Sequence, residues 1–126
     1  MKKRSMAFVA VVATVILGLW GTPAFAHDVR WDGPYDCGPT LTFRCGYVQV
    51  RSNHTIVDAC DTRADGYGYE VAYGLRNGAS GTQVDPNGAT TGCGIKAAGT
   101  SSNPVVWIRG CTHQLGAWFC GPRITA

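Results

Sequence analysis

Six cysteines, Cys37, Cys45, Cys60, Cys93, Cys111 and Cys120, are all the sulfhydryls this 126-residue chain contains, and none lies before residue 37. What precedes them is built for export. Lys2, Lys3 and Arg4 form a charged start, Ala7 to Trp20 is largely apolar, and Ala24-Phe25-Ala26 is a small-x-small cleavage site. The apolar stretch of 14 residues is too short to cross a hydrocarbon core of ~30 Å as a helix. The sequence therefore predicts a signal peptide over 1–26 and a secreted, extracellular product with no membrane attachment after cleavage. In an oxidising compartment an even cysteine count reads as a disulfide framework, here three bridges. The short spacings at each end suit a local set, Cys37–Cys45, Cys60–Cys93 and Cys111–Cys120. Zinc is the rival use of cysteine, but the chain has no CxxC pair. No metal and no cofactor is expected.

Cleavage also changes the charge. The full chain carries 11 Lys plus Arg against 8 Asp plus Glu; three of the cations lie in the signal, so residues 27–126 carry 8 − 8 = 0. A long-range field for nucleic acid or anionic lipid is absent, which excludes both as partners. Recognition must rest on shape, aromatic contact and local hydrogen bonds.

The same 100 residues hold 15 glycines and 5 prolines, which interrupt any long helix. Alternation replaces helical periodicity. Tyr67, Tyr69, Val71, Tyr73 and Leu75 are apolar, while Gly68, Glu70, Ala72, Gly74 and Arg76 are small or polar; this predicts a strand with one buried face. Further strands are expected over Tyr47 to Arg51, His54 to Asp61, Val105 to Cys111 and Ala117 to Cys120. Asp65-Gly66, Asn77-Gly78, Asp85-Pro86-Asn87-Gly88 and Ser102-Asn103-Pro104 supply the turns. The fold class is all-β, a small antiparallel β-sandwich or barrel with three disulfides and an extended N-terminal arm. The arm is residues 27–39, and the disulfide-stapled β domain is 40–126. Ile95 to Pro104 reads as a second mobile loop.

Catalytic chemistry finds little support. His27, His54 and His113 survive export, with Asp58 near His54 and serines at 52, 80, 101 and 102. No GxSxG elbow marks any of those serines. A ribonuclease-like set would need Glu70 as base, His54 or His113 as acid, and Arg51 or Arg76 against phosphate. Yet Glu70, the only glutamate, falls on the polar face of the best strand, where a solvated side chain is the simpler account. Asp61, Asp65 and Asp85 sit in turns that favour aspartate, which weakens a glycosidase reading. Their spacing raises calcium, but Arg63 stands where an EF-hand places a ligand and no terminal Glu follows, so turn formation is preferred. Asn53-His54-Thr55 is formally a glycosylation sequon and is too short to carry an inference.

Taken in order, Ala59-Cys60-Asp61-Thr62-Arg63-Ala64-Asp65-Gly66, Asp85-x-Asn87-Gly88, Cys93-Gly94, Cys111 and Cys120-Gly121 resemble a pattern in small secreted actinobacterial proteins. Those are disulfide-linked β-sandwiches. In size and layout the chain is also similar to the adaptor subunit of umbrella toxin particles. That resemblance implies a non-enzymatic adaptor that joins extracellular proteins, with an N-terminal segment making contacts. Arg30, Trp31 and Tyr35 are then the candidate partner-binding residues, since Trp, Tyr and Arg dominate binding hot spots. Two other functions are weighed. One is a secreted inhibitor of a protease or other hydrolase, presenting the loop Cys37 to Cys45 or Cys111 to Cys120. The other is a cell-wall or carbohydrate-binding module with Trp107, Trp118 and Phe119 as a stacking platform, for which core packing is the preferred account of the aromatics.

Overall fold

In the computed structural model, which describes residues 28–34 and 44–126, all regular structure is strand. The elements are β1 Val29–Asp32, β2 Gly46–Arg51, β3 Ile56–Asp61, β4 Gly68–Leu75, β5 Ser80–Val84, β6 Gly94–Ala97, β7 Val105–Gln114, β8 Ala117–Cys120 and β9 Ile124–Thr125. They form two antiparallel sheets. One has the order β1-β2-β3-β6; the other runs β5-β4-β7-β8, with β9 pairing the early part of β7.

Alternation decides which side chains enter the space between the sheets. Val48 and Val50 of β2 sit opposite Ala59 and Val57 of β3, and all four are fully buried. They meet Tyr69, Val71 and Tyr73 of β4 and Ile108 of β7 from the other sheet. Burying each of these large side chains contributes about 1.5–3 kcal/mol. The Tyr69 hydroxyl donates to the carbonyl of Gly33, which satisfies the phenol inside the core. The Asn77-Gly78 turn closes the β4–β5 hairpin, with Gly78 at φ 88° and the Asn77 side chain accepting from Ala79 N at 3.0 Å.

Two crosslinks of the expected local set are present, Cys60–Cys93 and Cys111–Cys120. The first ties the end of β3 to the residue before β6; the second joins β7 to β8 directly across their register. Cys45 is buried and also oxidised. Cys37, Tyr35 and His27 lie outside the described residues.

Several expectations change. Val29–Asp32, four residues of the expected arm, pairs along β2, and Trp31 packs against the core. Ile95 to Ala97, expected in a mobile loop, belongs to β6 and pairs with β3. The main correction concerns β4, whose polar face is not solvated. Glu70 is 8 % exposed, and Ala72 is buried beside it. Registry places Gly68, Glu70, Ala72 and Gly74 opposite His113, Cys111, Arg109 and Trp107 of β7. The Trp107 indole lies over Gly74, and Trp118 reaches the space over Gly68. Those positions are small because large side chains from the neighbouring strands cover them.

A Cβ at Gly74 would collide with the Trp107 ring. Gly74→Val is therefore expected to destabilise the fold by about 2–3 kcal/mol, read as a lower urea midpoint with unchanged slope. Unchanged stability would mean that the indole does not rest there.

Candidate docking edge and acidic pocket

The last hairpin is where the sheet stops. Leu115 and Gly116 form its two-residue turn, both with positive φ (51° and 81°), the conformation that matches the twist of paired strands. The chain returns as β8, with Gln114 opposite Ala117, His113 opposite Trp118, Thr112 opposite Phe119 and Cys111 opposite Cys120. All four residues of β8 are exposed. Around them stand Leu115 at 93 %, Phe119 at 51 % and Trp118 at 42 % exposure. The core packing preferred for Trp118 and Phe119 is thus not found.

A free strand edge invites pairing with another chain, and proteins normally blunt it with charge or cover. Among the described residues the edge strands β1, β5 and β6 are managed. On β1, Arg30 and Arg44 both pair with Asp32 at 2.9 Å, and Arg30 lies 3.6 Å over the Tyr47 ring. Strands β5 and β6 approach each other across the sandwich, and Lys96 Nζ donates to the Thr82 carbonyl at 3.4 Å. Strand β8 has no described strand on its far side, and Leu115 to Cys120 contains no charged residue.

Two strands in from this edge, at the start of β4, lies a cavity of about 480 Å³, lined by Asp61, Arg63, Tyr67, Gly68, Asp85 and Thr90 among others. Gly68 belongs to its wall and also touches the space under Trp118. The aspartates hold the surrounding turns, as their positions suggest. Asp85 accepts from Asp61 N at 2.8 Å, Asp61 from Arg63 N at 2.9 Å, and Asp65 from Tyr67 N at 3.0 Å. Asp61 and Asp85 are nonetheless buried. Burial, reinforced by Asp65 and Asp85, pushes the Asp61 carboxyl up to about 6, although the Arg63 N–H opposes the shift. Among the described residues no three Asp, Glu, His or Cys side chains converge in one cluster.

Other sequence-marked residues are scattered. Asp58, proposed beside His54, is engaged by Gln49 and Arg51 at 2.6 and 2.8 Å on the outer face of the first sheet. His54 sits in the β2–β3 turn with φ 61°. Glu70 and His113 do share one sheet face, and Cys111, the register partner of Glu70, lies between Arg109 and His113 on β7. Burial raises the Glu70 carboxyl, while Thr82, Arg109 and His113 lower it. Arg51 and Arg76 lie elsewhere, on β2 and beyond β4. The three aromatics do not assemble one platform. Arg123 stacks 4.2 Å over Trp107, His113 packs 4.9 Å from Trp118, and Phe119 faces the opposite side of β8. Trp31 lies against Gly33 and Gly121 of its own chain.

Comparison with protein-family models, curated proteins and solved structures gives no match for this chain.

Because Asp61 ionises only above about 6 in the fold, against 3.8 ordinarily, its charge opposes folding at neutral pH. Stability is gained as pH falls through that value and is complete below the ordinary one. Asp61→Asn keeps the turn acceptor and is expected to stabilise the protein by on the order of 1–3 kcal/mol at pH 7.5. The advantage should fade toward pH 4. Thermal melts of both proteins across that range check this; a constant difference would contradict it.

Proposed function

We propose that this protein is a secreted, disulfide-braced interaction module that captures an extended segment of another extracellular protein along β8. The observation that carries the reading is the uncharged edge strand β8, which no strand among the described residues covers and which is flanked by the exposed Leu115, Trp118 and Phe119. Strand addition supplies main-chain hydrogen bonds, and alternate side chains of the guest meet Trp118 and His113 on one face and Phe119 on the other. A frame held by crosslinks loses little entropy when it presents such an edge.

A second copy pairing β8 to β8 would also bury Leu115, Trp118 and Phe119, and it is the alternative outcome of the test below. Signal cleavage after Ala26 and a third bridge, Cys37–Cys45, complete the proposal. The adaptor role implied by the resemblance directs the search to large secreted proteins. Arg30 and Trp31 are engaged within the chain, so β8 takes the contact role first given to the N-terminal segment.

A photo-crosslinking residue placed at Phe119, with culture medium as the source of partners, tests the reading. One foreign extracellular protein is expected, attached through a single short segment. Adding Trp118→Lys, which restores an edge charge, is expected to reduce crosslinking at least about tenfold while the protein still melts cooperatively. Crosslinks to a second copy of the chain, or yields indifferent to Trp118→Lys, would overturn it.

A further inference from the structure

The Cys111–Cys120 bridge spans β7 and β8 on the outer face of the second sheet, because the two cysteines are register partners. Its halves stand in different surroundings. Cys111 is fully buried, while Cys120 belongs to a strand whose four residues are all exposed. Thiol–disulfide exchange begins when a thiolate attacks one sulfur of the pair, and access decides which. The thiolate approaches from the side opposite the bond that breaks. For Cys120 that side is the sheet edge, where no strand among the described residues pairs with β8. For Cys111 it is the side of β4, where the enclosed Glu70 is the register partner. The other described cysteines are less open: Cys45 and Cys60 are 2 % and 3 % exposed, and the Tyr47 hydroxyl lies 3.7 Å from Cys93 Sγ. The bridge also fastens a strand that supplies none of the buried core. Just beyond it the chain is held again, by Gly121 N donating to Gly110 O at 2.9 Å and by β9 pairing with β7.

We propose that Cys111–Cys120 is a thiol–disulfide exchange site, opened by a dithiol that attacks Cys120 Sγ, and that its reduction frees Leu115 to Cys120 from the sheet. The first thiolate forms a mixed disulfide with Cys120; Cys111 leaves with the bonding electron pair and takes a proton from solvent. The second thiol of the reductant then attacks its own sulfur in the mixed disulfide, and the proton it gives up ends on the departing Cys120. The dithiol becomes a disulfide and the bridge becomes two thiols, a transfer of two electrons. The freed hairpin lifts the Trp118 indole from the space over Gly68 and away from His113. What this does to binding rests on the docking reading: the edge is presented only by the oxidised protein. A guest strand on β8 would in turn cover the side from which Cys120 is attacked, so docking and reduction oppose each other.

Dithiothreitol is added to the native oxidised protein at pH 7.5, and timed samples are acid-quenched, alkylated and mapped by mass spectrometry. Cys111 and Cys120 are expected to take up the label at least about tenfold faster than Cys45, Cys60 and Cys93. With glutathione, a monothiol that leaves the intermediate in place, the adduct is expected on Cys120. In protein reduced at this bridge alone, the amides that join β7 to β8 should exchange faster while those of β4 keep their protection. Equal labelling rates, an adduct on Cys111, unchanged exchange at β8 or lost protection throughout β4 would overturn the proposal. Crosslinking from Phe119 to an extracellular partner is expected to fall at least about tenfold on the same reduction. Selective reduction of a protein whose oxidised form captures no partner would remove the docking reading and leave the exchange site standing.

Discussion

Strand β8 places no side chain in the core, so what keeps it on the sheet is β7. Four register pairs and the Cys111–Cys120 bridge do that work. A short edge strand with no buried residue would fray easily in isolation. The loop-entropy estimate gives such a bridge about 2.5–3 kcal/mol, comparable with the whole packing contribution of one large core side chain. β7 can serve as the anchor because Ile108 and Cys111 are fully buried and because it pairs with β4 over nearly its whole length. The edge that faces outward thus depends on a crosslink whose other half is among the most buried groups of the molecule.

The outer face of the second sheet shows why this framework is rigid on both sides. A sandwich usually leaves that face to water, and the sequence of β4 invites the same reading. Here Trp107 and Trp118 lie over Gly74 and Gly68, and Glu70 is enclosed between them with Arg109 and His113 near. The small residues of β4 record the footprint of indoles that arrive from β7 and β8. The buried glutamate is tolerated because Thr82, Arg109 and His113 favour its charge.

How much of this was legible in the sequence depends on how local each signal is. The inner face of β4, the Asn77-Gly78 turn and the Cys111–Cys120 pair follow from alternation, turn chemistry and spacing. Strands β1, β5, β6 and β9 did not stand out. Val29–Asp32 mixes polar and aromatic residues, Ser80–Val84 and Gly94–Ala97 are rich in small or polar groups, and each is fixed by its neighbour in the sheet rather than by its own propensity. The burial of Glu70 and Ala72 depends on residues some 40 positions away in sequence, so no window of the chain reveals it. For the candidate site, Trp118 and Phe119 were visible as aromatics but were assigned to the core. One signal was available: Leu115 to Cys120 lacks any charge although it follows a hairpin turn. Asp61, Asp65 and Asp85 read as turn residues, and the burial of Asp61 and Asp85 emerges only when β3 and β5 end at the same place.

The central proposal is that the main-chain groups on the outer side of β8, which no strand among the described residues pairs, take up a partner segment. Amide hydrogen exchange reads those groups one at a time. In the free protein the outward N–H groups of Ala117–Cys120 should exchange rapidly while those of β4 and the middle of β7 stay protected. In the complex with its extracellular partner, the β8 amides should slow by at least about a hundredfold. A complex that forms while these amides exchange as in the free protein would contradict the account.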